Sequence, residues 1–325
     1  MRHGYTIAGL TLLLLWGCGG VCALDAFDTN TTATGLWIPV QNIRDLCKAG
    51  QNYTDANRAY TFYTDHLTTP KSGWQCMEVG DAPFRYGNET GFTSTWTWPP
   101  SSPPALNSYP HAHSLSTQLP VQISNLNTVW LYAVWTYGVG NGTVNNTDTA
   151  GVERAGMKAF VAAELFIDAD QARSADPGDA ATKVAIWLAA YGGVLPAGYD
   201  SKSSLQTQVF GGTTFKLYSD NASPQTTYTW LAASNMTTFY SDVSQLIHSL
   251  PLKQRESQYL GAYRFGTGAY STDNGTPVTF GTQVMQLAVV PGFPKSAGVL
   301  ARGGVRWGVL AGAMLLAVLG GRWCI

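Results

Sequence analysis

The chain is 325 residues long, 45% hydrophobic and 12% charged, and its 19 basic and 20 acidic side chains leave a formal charge of -1. That length fits one sizeable domain better than two, and the balance lacks the concentrated basic face that nucleic acid requires. Low charge with many Trp, Tyr, Thr, Ser and Gly residues suits a secreted all-β protein that handles a neutral polymer.

At the N-terminus, Arg2 and His3 precede the apolar run IAGLTLLLLWG, and small residues follow at 21–23. This is the order of a secretory signal peptide, expected over residues 1–23. Cys18 and Cys22 leave with it and Cys324 lies in the tail, so Cys47 and Cys76 remain as one expected disulfide in an oxidising compartment. N-x-S/T sequons at Asn30, Asn52, Asn88, Asn141, Asn145, Asn221, Asn235 and Asn274 strengthen the secretory reading and are expected mostly on exposed turns. Residues 24–45 read as an extended, loosely held lead-in to a domain over 46–293.

Within that domain, short β-rich runs such as YTFYT, TSTWTW, TVWLYAVWTY and MKAFVAAELFI alternate with Gly, Pro, Asn and Ser clusters. Many short strands broken by turns predict an antiparallel two-sheet sandwich or jelly roll. SDVSQLIHSL departs from this, with Val243, Leu246, Ile247 and Leu250 at helical spacing, Ser241 as candidate N-cap and Pro251 as stop. PPSSPPALNSYP and GVGNGTVNNTDTAGVERAG read as inserted surface loops. His111 and His113 have a spacing that two metal ligands can share, but no third ligand is evident, which favours surface histidines. The run DADQARSADPGD lacks the Gly and final Glu of a calcium loop and reads as solvated. Neither metal nor cofactor is expected.

After Phe293, the small residues Ser296, Ala297 and Gly298, a polar spacer and the apolar GVLAGAMLLAVLGG follow in order. Residues 294–325 therefore read as a glycosylphosphatidylinositol-type attachment signal with Ser296 as the lipid site. The apolar run falls short of the roughly 20 residues that a spanning helix needs, although Arg322 departs from the pattern.

The run KVAIWLAAYGG, residues 183–193, reads as a buried strand entering a Gly-Gly turn, with Lys183, Ala185 and Trp187 on one face and Val184, Ile186 and Leu188 on the other. The second is a core face; the first, with its lysine, reads as the lining of a cleft. Together with YTFY, TSTWTW, VAAELF and SQYLGAYRFGTGAY, this run resembles glycoside hydrolase family 12, the jelly-roll endoglucanases and xyloglucanases, over nearly the whole mature domain.

The resemblance implies a concanavalin-like two-sheet sandwich with one packed helix, and it agrees with a Cys47–Cys76 pair. The family's nucleophilic Glu, in E-x-M-I-W, falls on Lys183; its acid/base Glu, in F-G-T-E-P-F, falls on Gly268. Ala185 stands where the family has Met, and Leu67 stands near a sugar-stacking Trp position. Retaining glycosidases need two carboxyl groups about 5–5.5 Å apart, and neither Lys nor Gly supplies one.

Glu164 matches the family's Asp beside the nucleophile. It reads either as a shifted nucleophile or as an ion-pair partner for Lys183, and the ion pair is favoured. Asp273 reads as a solvated turn residue rather than a displaced acid. Trp96, Trp98 and Trp187 fit sugar stacking and core packing equally well. The expectation is a secreted, surface-anchored monomer with impaired catalysis that binds β-1,4-glucan or xyloglucan. An active endo-β-1,4-glucanase using Glu164, and a non-binding decoy of active relatives, are the alternatives.

Overall fold

The computed structural model describes residues 41–68, 72–81, 90–200, 203–221 and 224–292. Residues 1–23, read as a signal peptide, Asn30, Asn88 and residues 294–325 with Ser296 lie outside them. The strands are β1 (Gln41–Leu46), β2 (Asn52–Thr54), β3 (Tyr60–Tyr63), β4 (Trp74–Asp81), β5 (Thr93–Thr97), β6 (His111–Ser114), β7 (Val121–Gln122), β8 (Leu126–Val139), β9 (Lys158–Asp168), β10 (Thr182–Tyr191), β11 (Gln206–Phe210), β12 (Thr213–Asp220), β13 (Thr226–Ala232), β14 (Thr238–Asp242), β15 (Tyr259–Ser271) and β16 (Val278–Pro291).

They form two sheets. The six-stranded sheet has the order β1-β4-β5-β16-β8-β14; the ten-stranded sheet has the order β11-β12-β13-β10-β9-β15-β6-β3-β2, with β7 beside β15. This is the expected jelly roll with one change: β10 pairs with β13 in parallel, Thr182 opposite Thr226.

Alternation decides which side chains face the other sheet. Val161, Ala163 and Leu165 of β9, Val184, Ile186 and Leu188 of β10, and Tyr263 and Phe265 of β15 enter one core with Leu131, Trp135, Met285 and Leu287 of the six-stranded sheet. Full burial of each large apolar side chain stabilises the fold by about 1.5–3 kcal/mol. The expected two faces of β10 are both present, up to a bulge between Trp187 and Ala189. The strand ends in the Gly-Gly turn, with φ of 67° at Gly192 and 71° at Gly193. A Cβ on Gly192 would also lie 2.3 Å from the Met157 carbonyl, so this turn requires glycine twice over.

Cys47 and Cys76 are bonded, with S–S 2.01 Å, just beyond the β1–β4 pair of Leu46 and Met77. The lead-in is more structured than expected, because β1 takes its last residues into the sheet. The predicted helix is α3 (Ser244–His248), and its N-cap is Val243. Ser241 belongs to β14; Asp242 makes the entry instead, Oδ1 accepting the backbone N–H groups of Val129 and Ser244.

Two further short helices, α1 (Thr149–Arg154) and α2 (Gln171–Ser174), form inside segments read as loops. Each starts at an aspartate that accepts backbone N–H bonds, Asp148 from Gly151 and Asp170 from Ala172 and Arg173. The acidic run is likewise not all solvated: Asp168 is buried, accepts the Ala181 N–H at 2.8 Å and pairs with Arg173 at 3.1 Å. The described sequon residues Asn52, Asn141, Asn145, Asn221, Asn235 and Asn274 are all exposed.

Candidate functional site

The outward face of the ten-stranded sheet carries the predicted residues. Across β9, Glu164 lies opposite Arg264 on one side and Ala185 on the other, Lys183 opposite Phe166, and Gly268 opposite Phe160. Lys183 and Gly268, the positions at which the resemblance puts the family's nucleophile and acid/base, thus flank opposite ends of one strand.

The Lys183 end is ionic. Arg264 donates from Nε at 2.8 Å and Nη2 at 2.7 Å to Glu164 Oε2, while Lys183 Nζ stands 3.6 Å from Oε1. The predicted pair is present, but Arg264 is the stronger partner. Its guanidinium also lies 3.8 Å from Asp65 and sits over the rings of Tyr109 at 5.0 Å and Phe166 at 4.8 Å.

Burial of Glu164 opposes its charge, yet the attraction of Arg264 and then Lys183 prevails and lowers its pKa. Asp65 shifts the other way, because burial outweighs the pull of Arg264. Glu164 is therefore an ionised anion with a cation beside each oxygen, an arrangement that engages the lone pairs a nucleophile would use.

The Gly268 end is aromatic. Phe160 stacks on Trp187 with centroids 4.0 Å apart and planes 10° from parallel, and Tyr270 meets Phe160 edge-on at 6.2 Å. Tyr109 continues the stack at 6.0 Å and donates its hydroxyl to the Ala162 carbonyl at 3.0 Å. A Cβ built on Gly268 would lie 2.1 Å from a Phe160 ring carbon. The ring therefore occupies the space into which any side chain at 268 would grow.

His111 is not a surface histidine. It is buried between Tyr109 and Tyr63, both 5.2 Å away, with Nδ1 2.7 Å from the Tyr109 carbonyl. Burial first, and Arg264 next, push its pKa well down; for His113 the same causes bring it to about 4. Among the described residues no cluster of His, Cys, Asp or Glu could hold a metal.

Trp96 and Trp98 take the core alternative, 0% and 3% exposed. Trp187 does lie on the outward face, but at 5% exposure and beneath Phe160 it offers no open ring. Leu67 is half exposed, and Asp273 is an exposed turn residue.

The family model for glycosyl hydrolase family 12 matches residues 68–289. The chain belongs to this family. Among curated family 12 relatives, the xyloglucan-specific endo-beta-1,4-glucanase A of Emericella nidulans is 30% identical over 212 residues, covering 63% of this chain and 75% of the relative. An inactive glycoside hydrolase of Phytophthora nicotianae is 27% identical over 233 residues, covering 70% and 84%. The fold matches Trichoderma harzianum endoglucanase 3 with a TM-score of 0.62 at 20% identity, over 77% of this chain and 98% of that one. It matches the catalytic domain of Humicola grisea Cel12A with 0.60 at 22%, over 76% and 99%.

Two residues that define this family 12 face escape a reading of the sequence alone. Arg264 sits inside SQYLGAYRFGTGAY and Phe160 immediately before VAAELF, yet their partners lie on neighbouring strands. Arg264 had one signal, as the lone cation within the apolar strand YLGAYRFGTGAY. An isolated charge on a half-buried strand demands a counter-charge.

Proposed function

We propose that this protein is a non-hydrolysing member of family 12 that holds β-1,4-glucan or xyloglucan without cutting it. The observation that carries the reading is the Phe160 ring against Gly268, which removes the acid/base position sterically as well as chemically. Glu164 does not replace the lost nucleophile, since its two oxygens are engaged by Arg264 and Lys183. The polysaccharide class follows from the relatives, whose names specify xyloglucan.

The wild-type protein should release no reducing sugar from soluble β-glucan or xyloglucan, because general-acid assistance alone commonly contributes about 10²–10⁴ in rate. It should still be retained on insoluble β-1,4-glucan. Robust endoglucanase activity that disappears in Glu164→Gln would overturn the proposal and establish catalysis by a relocated carboxylate.

A second reading, a decoy of active relatives that needs no sugar, is favoured by the burial of Trp96, Trp98 and Trp187. Absence of retention on glucan would select it.

The proposed location is the outer cell surface, through a signal peptide over 1–23 and a lipid at Ser296. The exposure of the described sequon residues is compatible with passage through the secretory pathway. A phosphatidylinositol-specific phospholipase should release the protein. A mature surface form that still contains Trp323 would refute the anchor.

A further inference from the structure

The outward face of the six-stranded sheet divides into two parts. One is roofed by the loop following β8. Val144 lies against Gly138 and accepts from Thr136 Oγ1, the Gly142 N–H reaches Thr279 Oγ1, and Gln283 Nε2 reaches the Asn145 carbonyl. This insertion is packed onto the sheet rather than being a free excursion.

The other part carries an aromatic cluster. Leu131 and Ala133 of β8 and Phe239 of β14 point into the core. By alternation Trp130, Tyr132 and Tyr240 point outward. Trp130 and Tyr240 stack with centroids 5.2 Å apart at 18°, and Tyr132 meets Tyr240 edge-on at 5.5 Å.

Tyr240 is 38% exposed; among the described residues the other aromatic side chain so exposed is Trp74, at 43%, also on the outward side of this sheet. The catalytic-type face shows the reverse, with Phe160 and Trp187 at 3% and 5%. Around the cluster stand hydroxyl and amide side chains: Thr238 next on the same face of β14, Thr128 next on that of β8, and Gln286 paired with Tyr132. Over these stretches of β8, β14 and β16 the ionisable carboxylate is Asp242, and its Oδ1 already caps two backbone N–H groups.

We infer that this surface is a second carbohydrate-holding site, and that its ligand is a neutral β-1,4-linked glucan chain. The inference rests on the glucan-binding reading above and adds where the chain is held. The apolar C–H faces of a pyranose ring match aromatic side chains, and its hydroxyls match amide and hydroxyl partners. Charge complementarity points the same way. A face whose one carboxylate is already bonded to backbone N–H groups leaves little ionic desolvation against an uncharged polymer, and it offers no counter-charge to an acidic one.

The test compares wild type, Tyr240→Ala, Trp130→Ala with Tyr240→Ala, and Tyr270→Ala on the ten-stranded sheet. Binding is read by retention on insoluble β-1,4-glucan and by affinity electrophoresis in soluble xyloglucan, with thermal melts to check folding. The outer-face double variant is expected to bind at least tenfold more weakly, with a smaller loss for Tyr270→Ala. Should the double variant fail to fold, the exposed single change Tyr240→Ala decides, with an expected loss of several-fold. Wild-type binding that is unchanged by the Tyr240 and Trp130 substitutions but lost in Tyr270→Ala overturns this site and leaves the glucan reading intact. A wild type that binds neither polymer overturns both.

Discussion

The two ends of β9 differ in kind. At the Glu164 end the chemistry of a carboxylate survives but its charge is consumed by Arg264 and Lys183; at the Phe160 end the chemistry is gone and its space is filled by stacked rings. The ionic end could be reversed by changing charges. The aromatic end cannot regain a side chain at 268 until a ring is moved. On the non-hydrolysing function proposed above, inactivity would thus be a matter of packing as much as of the residue types at 183 and 268.

The largest expected effect tests this asymmetry. Lys183→Glu with Gly268→Glu returns both carboxylates yet should remain inactive, because the new side chain at 268 collides with Phe160. Adding Phe160→Ala should yield detectable retaining hydrolysis, about 10²–10⁴ above the double variant if general-acid help is recovered. Reducing-sugar assays on both variants check it. Hydrolysis by the double variant alone would show that the ring yields easily and that the two ends are not so different.

Next in size is Arg264→Ala. It strands a buried Glu164 with only the looser Lys183 contact, and breaking a buried pair from one side commonly costs about 3–5 kcal/mol. Urea unfolding should show a loss on this scale, and Arg264→Met with Glu164→Gln should recover most of it. No difference between the single and double variants would remove the ion pair as the organising contact of that end.

The smallest effect is a dependence on pH. His113 falls from 6.5 to about 4 in the fold, through burial and the facing Arg264. Because the unfolded state then binds more protons, stability is complete above pH 6.5 and declines as pH drops toward 4, by on the order of 3 kcal/mol. His111 adds in the same direction. Glu164, whose pKa is depressed, supplies stability that is present above its unfolded value of 4.5 and is lost only as pH falls below it. Thermal melts between pH 7 and 4.5 should therefore show a falling Tm whose slope is reduced in His113→Asn, with His111 supplying the remainder. A flat profile for the wild type would place these histidines in water.

Legibility followed the range of each interaction along the chain. The faces of β10, its glycine turn, the Cys47–Cys76 bond and the Lys183–Glu164 pair could be read because each is fixed by alternation, by residue type or by neighbouring strands of one hairpin. Arg264 lies 100 residues from Glu164, and only the β9–β15 register brings them together. Phe160 was equally hidden, since its alternation marks it as outward but says nothing of the glycine opposite. The burial of His111 was hidden for the same reason, as Tyr63 and Tyr109 enclose it only once β3 and β6 pair.

The bulge in β10 bears on how this strand can change length. Val184, Ile186 and Leu188 face inward, and then Ala189 and Tyr191 do so as well, so the inward phase slips by one residue. Strict alternation would put Ala189 outside if the count were uninterrupted, and Tyr191 with it. Removing Leu188 would therefore shorten the strand while leaving Trp187 outward and Tyr191 inward, whereas removing Ile186 would invert Trp187 against Phe160. Insertions and deletions accumulated over the history of such a strand should concentrate at this one position, and an alignment that places a gap anywhere else in it joins residues from opposite sides of the sheet.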